Sequence, residues 1–395
     1  MISYNEELLR GDLEINGGRT YQQCSVSLMD TIADPQISFD EQGICNYYYE
    51  YREQDKRSVV RGEQGLQLLE ETIEKIKANG KGKKYDCITG VSGGVDSTYL
   101  VYLAKKYGLR VLVVHFDNGW NSEIAVKNIE NIIGKLGFDL YTLVVNWEEF
   151  RDIQLSYFKA DVVDIEAITD HAIIATMYKL ALDNDLKYIL SGTNIVTEAT
   201  LPRHWIFNKV DHKNIQAIHK QYGTVALKTY PFFDTRLKKL AEMNGIESLS
   251  LLNYVDYNKA AIKETISKEL GWRDYGGKHY ESIFTRFYQG YILPVKFHID
   301  KRKAHLSNLI FSGQISREQA LQEMRHPIYD PKQLAEDKVF ALKKLGFSES
   351  EFDAYLSRAR REHTEFAVEK GFFDEYPLLR GLKPFAGLIK KFYKN

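Results

Sequence analysis

Residues 87–100 read C-I-T-G-V-S-G-G-V-D-S-T-Y-L, and the turn in their middle decides the fold. A short apolar run ends in Ser92-Gly93-Gly94-Val95-Asp96-Ser97, and a helical pattern follows at once. A strand, a glycine loop and a helix in this order hold phosphate. Gly93 and Gly94 carry no Cβ, so the backbone can bend sharply and bring its N–H groups close to an anion. The helix that follows aims its unpaired N–H groups and positive dipole end at the same point. Ser92 and Ser97 add hydroxyl donors. A carboxylate at Asp96 would be out of place against bare phosphate, and a magnesium ion bridging the phosphates gives it a role.

Two better-known phosphate loops are excluded. No lysine follows the glycines, as a Walker A loop requires, and the spacing is not that of the dinucleotide fingerprint. The string S-G-G-V-D-S after a strand resembles the PP-loop of the N-type ATP pyrophosphatases. That resemblance implies ATP bound by its pyrophosphate end and split into AMP and pyrophosphate, with AMP placed on a substrate oxygen.

Outward from the loop, strands and helices alternate. Arg110–Phe116 reads as a buried β run, followed by Asp117-Asn118-Gly119-Trp120. Residues 122–136 read as a helix, 140–145 as a strand, and 147–159 and 165–182 as helices. Residues 188–190 form a strand that ends in Ser191-Gly192-Thr193-Asn194. This alternation predicts an α/β fold with a parallel sheet. Ligands of such sheets sit beyond the strands' carboxyl ends, where the S-G-G-V-D-S, D-N-G-W and S-G-T-N turns all fall. Helical patterns are expected over 63–78, 211–222 and 237–243, with a loop over 195–205, and from Ser248 the alternation is expected to stop. The expected domains are an N-terminal segment over 1–60, an ATP-binding domain over 61–245 and a mostly helical region over 246–395, for substrate or partner. In the last, Ser316–Gln319 and Ser348–Glu351 fit capping boxes.

Cys24 and Cys45 lie in the N-terminal segment, which is expected to be irregular. A structural zinc site commonly uses two C-x-x-C pairs, but Ser27 and Tyr48 stand where the second cysteines would be. The segment reads as a ribbon-like element without its metal, or as two packed cysteines, and no zinc is expected. His279-Tyr-Glu281 has the H-x-E of zinc deaminases but lacks their P-C-x-x-C partner. His115, His171 and His219 read as structural. Asp161, Asp164, Glu166 and Asp170 read as a solvated helix face. Lys301-Arg302-Lys303 is either a charged turn or a cation cluster able to hold a diphosphate.

The 395 residues favour two or three domains. Lys+Arg of 53 against Asp+Glu of 54 gives a net charge of −1, which counts against a large nucleic-acid substrate. Neither a signal peptide nor a membrane-length apolar run is apparent, and three cysteines suggest no disulfide framework. A cytoplasmic location is expected.

The strings I-S-F-D-E-Q-G-I-C-N-Y, T-G-V-S-G-G-V-D-S, F-D-N-G-W, S-G-T-N-I-V-T-E, G-G-K-H-Y-E-S-I-F-T-R-F-Y-Q and D-K-R-K-A-H-L-S together resemble one family. It is the N-acetyl sugar amidotransferases of the WbpG and PseA type, which serve lipopolysaccharide O-antigen and flagellin-glycan (pseudaminic acid) synthesis. The resemblance implies conversion of a sugar's acetamido group to an acetamidino group with ATP and ammonia, the sugar being nucleotide-linked. ATP and magnesium would be the cofactors. Ser92, Gly93, Gly94, Val95, Asp96 and Ser97 would hold the phosphates, with Asp96 on magnesium. Asp117, Asn118, Gly192, Thr193 and Asn194 would line the nucleotide pocket. Lys278, His279 and Arg302 would join Asp96 and Ser97 in catalysis, and Glu198, Arg203, Glu281, Arg286 and Lys301 would bind the acceptor. No glutaminase nucleophile is recognisable, so a separate glutaminase subunit is expected to supply ammonia, through a barrel-type subunit as the resemblance suggests. Another PP-loop ligase, a tRNA-thiolating enzyme and a non-catalytic nucleotide-binding scaffold are the rival readings.

Overall fold

The protein was analysed as a computed structural model, which describes residues 18–277 and 280–370. Helices α1 (Asn46–Ser58) and α2 (Gly62–Gly80) lead into the sheet domain. There β1 (Cys87–Gly90), α3 (Val95–Lys106), β2 (Val111–Asp117), α4 (Glu123–Leu136) and β3 (Asp139–Val144) alternate. Helices α5 (Trp147–Ala160) and α6 (Ala167–Asp183) precede β4 (Tyr188–Leu190). The short α7 (Ile195–Glu198), then α8 (His212–Tyr222) and α9 (Thr235–Met243), lead to β5 (Glu247–Leu249). Beyond lie α10 (Lys259–Leu270), α11 (Ile283–Phe287), α12 (Leu293–Phe297), α13 (Lys301–Phe311), α14 (Arg317–Met324), α15 (Pro331–Leu345) and α16 (Glu349–Ser357). A π-helical turn, Tyr288–Ile292, joins α11 to α12.

All sheet pairings are parallel, in the order β3-β2-β1-β4-β5. Leaving β1, the chain builds outward through β2 and β3, then returns to place β4 on the other side of β1. The sheet therefore has its switch point between β1 and β4, where a crevice opens at the carboxyl ends. Both faces of β1 are covered, which is why it reads as a continuous apolar run. Cys87 faces a cluster with Leu69, Leu100, Val101 and Ile266, and Ile88 faces Met177 and Ala181 across the sheet.

A third apolar cluster lies outside the sheet. It joins Cys24, Met29 and Cys45 to Trp120, Phe150 and Phe158, and these to Phe284, Phe287, Phe352 and Tyr355. One core is thus shared by the N-terminal segment, the helices after β3 and the C-terminal helices.

Three expectations need correction. The N-terminal segment is not wholly irregular, because Asn46–Ser58 is a helix whose aliphatic stripe is replaced by Tyr47 and Tyr51, one turn apart and buried. The strand alternation does not stop at Ser248, since β5 pairs with β4 through Tyr188↔Glu247 and Leu190↔Leu249. Its three residues carry no periodic signal. The acids at 161 and 164 are not a solvated face. Asp161 is buried with Lys296 (3.0 Å) and Arg358 (2.7 Å), and Asp164 is buried with Lys209 (2.6 Å).

Candidate active site

The S-G-G-V-D-S loop leaves β1 and turns at Gly93, whose φ of +80° favours glycine. A Cβ there would lie 2.8 Å from the Ala125 carbonyl oxygen, so α4 packs directly against the loop. The Gly93 carbonyl accepts from Trp272 Nε1 (2.8 Å), which ties the turn to the segment after α10. Ser97 Oγ receives the Ser92 N–H at 3.3 Å and donates to the Gly94 carbonyl at 3.3 Å. Across the switch point, Gly192 lies so close that a Cβ would meet Ser97 N at 3.3 Å. The two turns form one floor.

Asp96 stands in the first turn of α3 with its carboxylate held in place. Tyr257 donates its hydroxyl to Asp96 Oδ1 in a short hydrogen bond, and Asn194 Nδ2 approaches the same oxygen at 3.3 Å. Burial, with Asp96 nearby, pushes the Tyr257 phenol well above its usual range, so it stays a donor. Asn194 also caps α7, accepting from Thr197 N at 2.9 Å.

Two chambers open from this floor. The smaller, about 500 Å³, runs along the carboxyl ends of β1, β2 and β4. Gly90, Val114, Phe116 and Met177 give it apolar walls, and Asn118, Glu166 and Thr169 a polar end. The larger, about 810 Å³, lies between the loop and the helices from α10 onward, with Glu198, Lys259, Tyr275, Arg302 and His305 in its lining. Ser92, Ser97, Gly192, Glu281, Gln289 and Lys301 line both. Gln289 stands on the π-helical turn, a feature frequent at functional sites. Its side chain donates to Glu166 Oε2 (3.0 Å), while Thr285 donates to Oε1 (2.5 Å).

The basic run splits three ways. Lys301 points to the junction of the chambers, where burial pushes its ammonium below the usual lysine range, with Glu166 and Asp164 pulling the other way. Arg302 lines the larger chamber with its guanidinium held by Asp300 (2.8 Å) and the His326 carbonyl (2.7 Å). Lys303 is buried against Asp30 at 2.6 Å and serves the core.

The other expected residues divide. Ser92, Gly94, Val95, Asp96, Ser97, Gly192, Thr193, Glu198, Glu281, Lys301 and Arg302 line the larger chamber, and Asn118 the smaller. Asn194 acts one layer back, on Asp96. Asp117 lines neither chamber and shapes its own turn, accepting from Gly119 N at 2.8 Å. Arg203 is exposed on a short 3₁₀ turn away from both chambers. Arg286 lines neither chamber. It is paired with Asp337 at 2.6 Å and 3.0 Å and braces α11 on α15. Lys278 and His279 lie outside the described residues. Tyr257, Tyr275, Lys259 and Gln289 were missed, since only the tertiary fold brings them to the floor.

At the N-terminus, Cys24 Sγ accepts from Cys45 N at 3.2 Å, and Ser27 Oγ lies 3.7 Å from Cys45 Sγ. The Tyr48 ring turns instead to Tyr49 and Phe311. Among the described residues no group of three or more His, Cys, Asp or Glu side chains could hold a metal. A cation at Asp96 would need phosphate oxygens and water for its remaining ligands. That suits magnesium, which is commonly held by one or two carboxylates plus substrate phosphates.

This loop at the switch point of a parallel sheet has the form and position of the phosphate loop of the PP-loop ATP pyrophosphatases, and the stretch that carries it matches a family model. Residues 86–178 match the family described as queuosine biosynthesis protein QueC. Residues 281–380 match the C-terminal domain of the WbpG-like lipopolysaccharide biosynthesis proteins. A tRNA(Ile)-lysidine synthase of Chlamydia pneumoniae is 37% identical over 76 residues, 18% of this chain and 23% of that protein. The tRNA-specific 2-thiouridylase MnmA of Clostridioides difficile is 25% identical over 233 residues, 54% of this chain and 58% of that protein. The matches thus span less than two thirds of either relative. Among solved structures, NMN synthetase from Francisella tularensis matches 54% of this chain and 88% of its own at 13% identity, TM-score 0.28. The NH3-dependent NAD synthetase of Campylobacter jejuni matches 75% and 97% at 12% identity, TM-score 0.27. No described helix is long and apolar enough to cross a membrane.

Proposed function

We propose that the protein is an ATP-dependent amidotransferase that converts the N-acetyl group of a nucleotide-linked sugar to an acetamidino group. The observation that carries this reading is the pair of chambers meeting at the phosphate loop. On this reading the smaller, apolar chamber takes adenosine. The larger one takes the acceptor, and the α-phosphate sits at their junction. The acetamido oxygen attacks the α-phosphorus, the bond to pyrophosphate breaks, and an O-adenylated imidate forms. Ammonia then adds to the imidate carbon. AMP leaves with the oxygen and the surplus proton passes to solvent.

Such chemistry asks the protein for alignment and for positive charge near the α-phosphate rather than for a nucleophile. Lys301 supplies a cation at the junction, and the loop N–H groups and Ser92 and Ser97 supply donors. The residues that would hold magnesium are Asp96 with ATP's phosphates, and the ion would neutralise the pyrophosphate as it departs. Cys87 is buried within β1, and Cys24 and Cys45 are buried in the N-terminal segment, so none offers the exposed thiol that thiolation chemistry uses. Ammonia would come from a separate glutaminase, with a barrel-type subunit as conduit, in the cytoplasm.

The relatives that act on tRNA favour a second reading, a nucleic-acid acceptor, against which the net charge of −1 counts. The test is incubation with ATP, magnesium and ammonium and a panel of UDP- and CMP-linked N-acetyl sugars, or bulk tRNA, read by mass spectrometry. A sugar product in which NH replaces oxygen, formed with AMP and pyrophosphate, supports the proposal. ADP and phosphate, or modification of tRNA alone, refutes it.

A further inference from the structure

Asp96 is the single acid of the Ser92–Ser97 loop, it lines the larger chamber, and a phenol 161 residues away holds its carboxylate. We propose that Tyr257 is a positioning residue that fixes Asp96 for a divalent cation carried in with the nucleotide. The proposal rests on the ATP-binding reading of the loop but not on the identity of the acceptor.

The arrangement argues for this role over a merely structural one. Tyr257 follows β5 and precedes α10, and its ring is buried in the cluster that covers one face of the sheet, beside Val95 and Val196. Its backbone is anchored locally, the N–H donating to the Val255 carbonyl at 2.8 Å. Packing therefore already places the ring, and the hydroxyl is free to act on one oxygen. That oxygen, Asp96 Oδ1, also receives Asn194, so two neutral donors from separate elements converge on a single carboxylate oxygen. A carboxylate on the first turn of a helix has several rotamers open to it. Two donors on one oxygen select one rotamer. Residues that orient a metal-ligating carboxylate in this way commonly change metal affinity or activity by about 10–100-fold when removed.

The experiment uses the full-length protein and Tyr257→Phe, which keeps the buried ring. The ligand is α,β-methylene-ATP, which cannot be split between its α- and β-phosphates. Binding is measured by calorimetry with magnesium and with EDTA, and bound Mn²⁺ is counted by electron paramagnetic resonance with the analogue present. The expected result is a loss of about 10–100-fold in affinity for Mn²⁺ and for the magnesium-loaded analogue. Binding of the metal-free analogue should stay within about twofold, well under the tenfold that 1.4 kcal/mol represents. Equal losses with and without metal would make Tyr257 a packing residue and overturn the proposal. So would unchanged Mn²⁺ affinity in Y257F, or wild-type binding that is indifferent to metal. None of these outcomes depends on sugar turnover, so a failure here is distinct from a failure of the amidotransferase reading.

Discussion

Replacing Lys301 with methionine separates catalysis from stability, because the two should move in opposite directions. Among the described residues, the ammonium lies at the junction of the chambers without an ion pair, and burial holds its pKa below the usual lysine range. A lysine whose folded pKa is lowered destabilises the fold at any pH below that value. The handicap fades as pH rises through the folded pKa toward the unfolded one. Methionine keeps the length of the side chain and removes the charge, so K301M should match or exceed wild-type stability at neutral pH. Catalysis should suffer. A cation about 4 Å from the α-phosphate, at an effective dielectric near 20, interacts by about 4 kcal/mol. Loss of a preorganised electrostatic group costs about 2–4 kcal/mol. At 1.36 kcal/mol per decade, that is roughly 30- to 1000-fold in kcat. The assay is AMP and pyrophosphate formation with acceptor and ammonium, beside denaturant unfolding of the same preparations. Near-normal kcat, or a loss of more than about 1 kcal/mol of stability alongside the loss of activity, would refute the reasoning.

Other outcomes are expected. Asp96→Ala should lower kcat by roughly 30- to 1000-fold, the same 2–4 kcal/mol scale, and near-normal turnover would remove Asp96 from catalysis. Asp30→Asn removes the carboxylate charge that faces the buried Lys303 ammonium and should cost about 3–5 kcal/mol in urea unfolding. Adding Lys303→Met should recover part of that loss, and a double variant no better than D30N would show that the charge is not the cause. His171, pushed down to about 4 mainly by burial, is neutral in the fold, accepting from Phe233 N at 2.9 Å. Its contribution should be complete above about pH 6.5 and should fade toward pH 4. His171→Gln should flatten that part of a stability–pH curve, and an unchanged slope would count against it. Elemental analysis of the purified protein should find no stoichiometric zinc, since two thiols and a serine make a poor ligand set.

The sheet was legible wherever the chain repeats a strand-length aliphatic run, as in Val111–Phe116, because both faces of such a strand are buried. The loop was legible because its glycines and hydroxyls are consecutive. What escaped was whatever depends on distant partners. The charges of Asp161 and Asp164 look solvated until Lys296 and Lys209 are placed beside them. Arg286 sits within the motif-rich G-G-K-H-Y-E-S-I-F-T-R string, yet it answers Asp337, 51 residues on. Lys301, Arg302 and Lys303 are neighbours in sequence with three unlike fates, since successive helical positions face different directions. Tyr257 carries no local signal, and its partner Asp96 lies 161 residues away in sequence.

The shared core outside the sheet has a consequence for how ligands enter. Phe158 of α5 stacks edge-on against Phe284 of α11 and Tyr355 of α16. Leu28 and Asp30 of the N-terminal segment are fastened to Ser307 and Lys303 of α13. The helix that presents Lys301 is therefore fastened from behind to the N-terminal segment, and its neighbours pack against α5, which follows the sheet's β3. Among the described residues, swinging these helices away from the sheet would break those ring and ion-pair contacts. On the proposed reading, opening the larger chamber to an acceptor by moving these helices would carry the cost of those contacts.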